Sequence, residues 1–273
     1  MNAYVSEWLN LTLRWIHVLA GILWVGQTYF FSWLDSRMSA STGPSAEEKV
    51  AGGVWMVHSG GFYLVKKPEA LEQLPRNLHW FRWEAAITWI SGFLLLGIVY
   101  YMGGILVVPA SGISIAAGTG IGLGVLLLGW LIYDLLWSSP LGKNELLGGT
   151  ISFALVVGTA YSLTQVLSGR AAFIHIGAIF GTIMAANVWI RILPAQRQMV
   201  AAAKEGKRLD PALAAQAKQR SKHNTYMTVP LVFIMVSNHF PTASYGHHLN
   251  WLMLAAFVLV GWAARKVMIV MGR

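Results

Sequence analysis

Apolar residues are grouped along the chain into long runs that short polar connections separate. Seven runs are long enough to cross roughly 30 Å of hydrocarbon at the 1.5 Å rise of an α-helix. They lie near 8–34, 81–102, 113–137, 145–167, 170–193, 223–240 and 248–270. The sixth is the shortest and contains Pro230, so we expect a kinked helix that its neighbours bury. The pattern predicts an all-α integral membrane protein, with about seven transmembrane helices in a single domain over residues 1–273.

Two of the polar connections are long enough to hold structure of their own. The first, 35–80, contains Gly53–Lys66, which predicts a β-hairpin that turns at Ser59, Gly60 and Gly61. The second, 194–222, is a basic loop that predicts a solvated amphipathic helix broken at Asp210-Pro211.

Lys and Arg are unevenly distributed between the connections. They concentrate in 35–80 and 194–222, and Lys143 lies in 138–144, whereas 103–112 and 241–247 contain none. The positive-inside rule therefore predicts an N-terminus outside and a C-terminus in the cytoplasm. The formal charge of +9 follows from this topology. Since 194–222 has no aromatic residues interleaved for base stacking, we expect no nucleic-acid partner.

Composition supports a lipid bilayer as the surroundings and restricts the cofactor. Apolar residues make up 56% of the chain and charged residues 11%, against about a quarter charged in soluble domains. The absence of cysteine excludes disulfides, iron–sulfur clusters and covalent c-type haem. Any haem or metal ligand must therefore be His, Met, Lys or a carboxylate.

Histidines inside the apolar runs are the candidate ligands. A polar ring among membrane residues is costly, and a metal is a common reason for it. His17 lies roughly 13 Å into the first run by helical rise, and His175 lies in the same outer half of the fifth. Two neutral imidazoles from facing helices can ligate haem b, which we predict for this pair. His239, at the outer end of the sixth run, is a third candidate, as a replacement for His175 or for a second haem. The alternative is that each histidine only hydrogen-bonds a neighbouring helix.

A second constellation lies where the second and sixth runs begin, on the predicted cytoplasmic side. These residue types would suit a site for a planar anion. Arg offers charge, Trp offers a stacking surface, and Asn or Thr can bond to amide edges. A partly buried base would accept protons from the substrate. The predicted proton acceptors are Glu84 and His223, and the predicted substrate contacts are His58, His79, Arg82, Asn224 and Thr225. Helix capping and interfacial anchoring would also account for these residues. Asp134, Asn187 and Arg191 also lie toward the cytoplasmic ends, and the simplest prediction for them is that they pair with one another.

Three segments carry a resemblance to a known family. They are WIHVLAGILWVGQTYF at 15–30, GGVWMVHSGGFY at 52–63, and SKHNTYMTVP with SNHFP at 221–230 and 237–241. They resemble the membrane domain of the PuuD-type urate oxidases, also called urate hydroxylases, along essentially the whole chain. The resemblance implies a multi-pass protein of the bacterial inner membrane that oxidises urate to 5-hydroxyisourate. We expect urate or a similar small aromatic molecule as the substrate.

In that family an eighth span leads to a periplasmic cytochrome c domain that takes the electrons. This sequence ends at Arg273 without that span and without a Cys-x-x-Cys-His motif. We therefore expect a separate cytochrome c or a quinone as the electron acceptor.

Other readings of the sequence remain open. The spacing of His17, Trp24, Gly26 and Tyr29 is similar to that in membrane haem-dependent protoporphyrinogen oxidases, where the first-span histidine binds haem. Another haem b oxidoreductase, acting on porphyrinogen or quinol, is therefore an alternative. A transporter or a non-catalytic respiratory subunit is another, although only Pro230 suggests a broken helix. The sequence also allows a homo-oligomer.

Overall fold

A computed structural model describes residues 2–40, 53–67, 77–207 and 210–271. The helices are α1 Ala3–Ala40, α2 Trp83–Leu96, α3 Ile115–Ser138, α4 Glu145–Val166, α5 Gly169–Ala186, α6 Leu193–Lys204, α7 Pro211–Ser237 and α8 Asn250–Met271. A π-helical turn, Gly97–Tyr101, extends α2, and a second, Asn187–Ile192, joins α5 to α6 without a break. The strands are β1 Gly53–His58 and β2 Gly61–Lys66. The predicted helical class with a small hairpin is confirmed.

Several helices begin where a polar side chain caps their free backbone N–H groups. The Ser114 hydroxyl accepts from Ala117 N at 3.1 Å before α3, and Asn144 accepts from Leu146 N and Leu147 N before α4. Asp210 accepts from Ala212 N at 2.8 Å and caps α7 at Pro211. Such caps satisfy donors that have no partner within the helix. The basic connection is therefore interrupted at Asp210-Pro211, between α6 and α7, as the sequence predicts.

Six helices among the described residues are long and apolar enough to cross a membrane. They are Ala3–Met38, Trp83–Tyr101, Ile115–Ser138, Glu145–Val166, Gly169–Lys204 and Asn250–Met268. The predicted sixth span, 223–240, falls in α7, which is not among them because α7 begins with a polar half at Pro211. Pro230 lies inside α7 and packs against Gly261 of α8, where an added Cβ would come within 2.7 Å of the proline ring.

The centre of the bundle is α5. Its Phe173, His175 and Ile176 are at most 1% exposed, because α5 packs against α2, α3, α4 and α7. The outer helices instead present apolar side chains outward, for example Leu127 of α3 and Val260 of α8. This inverted surface is what a helix bundle in a lipid solvent requires.

The hairpin turns where the sequence predicts. Ser59 and Gly60 both have positive φ, +50° and +78°, which is the geometry of a two-residue hairpin turn. The register pairs Trp55 with Leu64 and Val57 with Phe62, so these four apolar side chains share one face. The rest of the predicted 35–80 insertion lies partly outside the described residues.

Candidate active site

His17 packs against α2. Its Nδ1 lies 2.8 Å from the carbonyl oxygen of Thr88, which can only accept, so Nδ1 carries the proton and donates. Ser91 Oγ lies 3.2 Å from the same nitrogen, and Gly92 leaves the room in which the ring lies. Within the described part of the chain Nε2 has no hydrogen-bond partner. A histidine whose Nδ1–H is fixed by a carbonyl and whose Nε2 is available has the arrangement of a metal ligand.

His175 is fully buried and has both ring nitrogens engaged. Nδ1 donates to Ala171 O at 2.7 Å, and Nε2 lies 3.1 Å from the Tyr101 hydroxyl. Gly122 of α3 lies so close that an added Cβ would be 2.5 Å from Nε2. An iron at this nitrogen would have to displace Tyr101, so His175 fits haem less well than His17 does.

The predicted pair of ligands has separate surroundings. His17 lies against α2, whereas His175 lies against α3 and Tyr101. His239 is exposed just beyond α7, beside Asn238, which accepts from Tyr100 and Arg170. Tyr100 also packs edge-on against His175, whereas the hydrogen bonds of the His17 ring go to Thr88 and Ser91 of α2.

The N-terminal end of α2 and the facing part of α1 form a polar, aromatic mouth. Gln27 Nε2 donates to Glu84 Oε1 at 3.0 Å, which joins the two helices. The Arg82 guanidinium lies 5.4 Å from the Trp83 ring centroid, and His79 packs edge-on against Phe81. This group holds a carboxylate, an amide, a cation and stacking surfaces. We call it the α1–α2 mouth.

A hydrogen-bonded link joins the α1–α2 mouth to His17. The Thr88 hydroxyl donates to the backbone oxygen of Glu84 at 2.7 Å, and the Thr88 carbonyl accepts from His17. Since the His17 ring also packs on Gly92, about two helical turns of α2 separate the predicted base from the predicted ligand.

The three consecutive residues predicted on α7 point to three different neighbours. His223 Nδ1 lies 2.8 Å from the Tyr133 hydroxyl of α3. Asn224 is buried, accepts from Asn187 at 2.9 Å and donates to Met184 O. Thr225 accepts from Arg265 of α8 at 2.9 Å. These contacts differ from those of Glu84 and Arg82, and His58 is exposed on the hairpin.

A buried cluster of charged residues lies next to Tyr133. Asp134 pairs with Arg191 and, at 3.0 Å, with Arg220, which is 1% exposed. The expected pairing of Asp134 with Arg191 is thus present, but Asn187 instead contacts Tyr133 and Asn224. Arg220 also donates to Ser138 at 3.0 Å, while its Nε and Nη1 are buried and have no hydrogen-bond partner among the described residues. Two guanidinium groups and one carboxylate leave this cluster with an excess positive charge.

Asp134→Ala should destabilise the protein by about 3–5 kcal/mol, because it leaves the buried Arg220 without a counter-charge. Asp35→Ala is the matched control, since Asp35 also pairs with two cations, Lys67 and Lys218, but is 39% exposed. Loss of an exposed pair costs about 0–1 kcal/mol. Unfolding midpoints in detergent would compare the two variants, and equal losses would show that the cluster contributes no more than a surface pair.

A cavity of about 570 Å³ lies between α3, α4, α5, α7 and α8. Most of its lining is apolar, but one end holds His223, Tyr133 and Trp137, with the Lys222–Glu145 ion pair beside them. The His223 and Trp137 ring centroids are 4.1 Å apart. The cavity therefore combines an apolar body with a polar, aromatic end.

Sequence reasoning missed five residues that now belong to the candidate sites. They are Gln27, Thr88, Tyr133, Trp137 and Arg220. Gln27 and Thr88 are polar residues inside apolar runs and carried a usable signal. Tyr133, Trp137 and Arg220 resemble ordinary interfacial residues in the sequence, and only the packing of α3 against α7 reveals them.

Comparison with known proteins agrees with the resemblance drawn from the motifs. A family model described as Urate oxidase N-terminal matches residues 3–273. No curated protein and no solved structure matched the chain. A match over this length shows membership, and the chain belongs to the urate oxidase N-terminal family.

Proposed function

We propose that this protein is a membrane-bound oxidoreductase that converts urate to 5-hydroxyisourate. The reaction adds water to the substrate and releases two protons and two electrons, so the protein must supply a base and an electron path. The observation that carries the proposal is the family match over residues 3–273. In the part of the chain that the structure describes, six helices are long and apolar enough to span a bilayer. They support a membrane setting, for which we propose the bacterial inner membrane.

The α1–α2 mouth is the proposed substrate site. Urate is a planar anion with amide edges, and Arg82, Trp83 and Gln27 offer a cation, a stacking surface and an amide. Glu84 is positioned by Gln27 at 3.0 Å and would accept a proton from bound substrate. The His79 ring, exposed at the entrance, would contact substrate from the solvent side.

We propose different roles for the other residues that the sequence predicted in the site. Asn224 and Thr225 are buried among protein partners, so we propose that they position α7. His223 lies at the polar end of the cavity, where its proton chemistry would serve a second ligand. His58 would approach the mouth only by movement of the hairpin.

Haem b is the proposed cofactor, with His17 as its first ligand. The free Nε2 and the donation from Nδ1 to Thr88 support this choice. Bound haem would supply one-electron redox chemistry between the substrate and a separate acceptor, a cytochrome c or a quinone. Thr88, which donates to the backbone of Glu84 one helical turn away, also accepts from His17.

Difference absorbance spectra of the detergent-purified protein test this function. We expect a b-type α-band after reduction by dithionite, and the same band with urate alone as reductant. A band that only dithionite produces would retain haem and exclude urate as the donor. Absence of any haem band in protein from haem-replete cells would contradict the cofactor assignment.

A further inference from the structure

Two exposed leucines line the cavity near the middle of α3 and α4, two helices that are long and apolar enough to cross a membrane. Leu128 of α3 and Leu155 of α4 both line it, and they are 53% and 42% exposed. Each lies ten residues from the end of its helix, Ser138 or Glu145, which is roughly 15 Å at helical rise. A ligand that enters between these leucines would come from the hydrocarbon core. Urate, a water-soluble anion, would not use this route.

The polar end of the cavity suits a planar ring that carries oxygen atoms. Trp137 offers a stacking surface, and the Tyr133 hydroxyl and the His223 imidazole can hydrogen-bond to ring carbonyls. Tyr133 also accepts from Asn187 at 2.9 Å, which orients its O–H toward His223 or a ligand. The positive charge of Arg220, 5.1 Å from the Tyr133 ring, would favour electron density on those oxygens.

The same end has a connection to water. Lys222 and Glu145 pair at 2.7 Å, and their side chains are 42% and 64% exposed. Reduction of a ring with two carbonyls consumes two protons, which this exposed pair could pass to His223. A site for a membrane quinone requires three features. They are an apolar body, an opening toward lipid, and a polar end that protons can reach from water.

We propose that the cavity binds a membrane quinone, with its ring in the cavity against Trp137, Tyr133 and His223 and its tail leaving between Leu128 and Leu155. The quinone takes two electrons and two protons to become quinol, so urate, water and quinone give 5-hydroxyisourate and quinol. The electron source rests on the proposed function, whereas the binding site does not. His223 is then a proton carrier for the acceptor, and Glu84 serves the substrate.

Two glycines of α4 provide a matched pair of variants. Gly149 lines the cavity and Gly158 does not, and an added Cβ at either meets nothing within 4 Å. They are nine residues apart, so they lie on opposite faces of the helix. Gly149→Leu should fill the cavity, and Gly158→Leu should leave it open. Both variants replace glycine by leucine within α4, so the change in helix propensity is the same.

The experiment measures equilibrium binding of decylubiquinone to the oxidised protein in lipid nanodiscs, without urate. We expect one saturable site, at least about tenfold weaker binding in Gly149→Leu, and unchanged binding in Gly158→Leu. Tyr133→Phe should weaken binding by about 5- to 30-fold through loss of a hydrogen bond in a buried site. Thermal unfolding of each variant shows whether it is folded.

Equal binding by the wild type and Gly149→Leu would overturn the quinone site, as would a cavity occupied only by phospholipid in mass spectra. A site that binds decylubiquinone in a protein whose haem is not reduced by urate would keep the quinone site and remove the proposed function. Reduction of haem by urate, together with quinone binding that Gly149→Leu leaves unchanged, would keep the proposed function and remove the quinone site. A cytochrome c would then be the acceptor.

Discussion

Protein with His17→Ala should lose its b-type haem band while remaining folded. The imidazole donates from Nδ1 to Thr88 O at 2.8 Å and leaves Nε2 for a metal, and alanine offers neither interaction. Because Cys is absent, no thiolate is available as a substitute ligand. Haem content per protein, from the pyridine haemochrome spectrum of purified protein, gives the result directly.

His248→Ala is the matched control, since His248 is exposed in the connection before α8. We expect that variant to keep the full haem content. Size-exclusion profiles would show that both variants are folded. Wild-type absorbance in His17→Ala would remove His17 from the ligands and leave His175 and His239 to be tested.

Glu84→Gln should lower kcat for urate oxidation by about 10²- to 10⁴-fold, the usual contribution of a positioned base. Glutamine keeps the size of the side chain and an oxygen that can accept from Gln27, so the contact between α1 and α2 is retained. KM for urate should change little, because Arg82 and Trp83 remain. Steady-state rates with an artificial acceptor would measure both constants.

Glu205→Gln controls for the loss of a carboxylate, because Glu205 is an exposed residue that pairs with Lys207 just beyond α6. Its rate should equal that of the wild type. A fall in rate of less than about threefold in Glu84→Gln would show that another group accepts the proton, and His223→Gln would be the next variant.

The hydropathy pattern predicted where helices lie, but it could not predict which neighbours their side chains meet. Run length and turn chemistry located the helices and the hairpin at Ser59-Gly60 because both are local properties. The sequence also predicts similar depths in the bilayer for His17 and His175, and this stays a prediction. The neighbour that each side chain faces around its helix axis could not be predicted, because it depends on which helices pack together.

The residues of α7 show this limit clearly. Each step along a helix turns the side chain by about 100°, so three consecutive residues spread over about 200° of the helix surface. His223 meets Tyr133 of α3, Asn224 meets Asn187, and Thr225 meets Arg265 of α8. The sequence prediction grouped these residues by depth alone. The cavity escaped prediction for the same reason, since five helices contribute to it.

The π-helical turn Asn187–Ile192 has a consequence for how this chain can change in evolution. A π turn contains one more residue than an α turn of the same reach, and such turns concentrate at functional sites. Here it allows Asn187 to meet Asn224 while Arg191 meets Asp134. A relative that lacks one residue in this turn would have a regular helix, with all of α6 rotated by about 100° relative to α5. The number of residues in this turn should therefore vary less among relatives than the identity of those residues. Relatives with a one-residue deletion here should have different residues in place of the Asp134, Arg191 and Arg220 cluster.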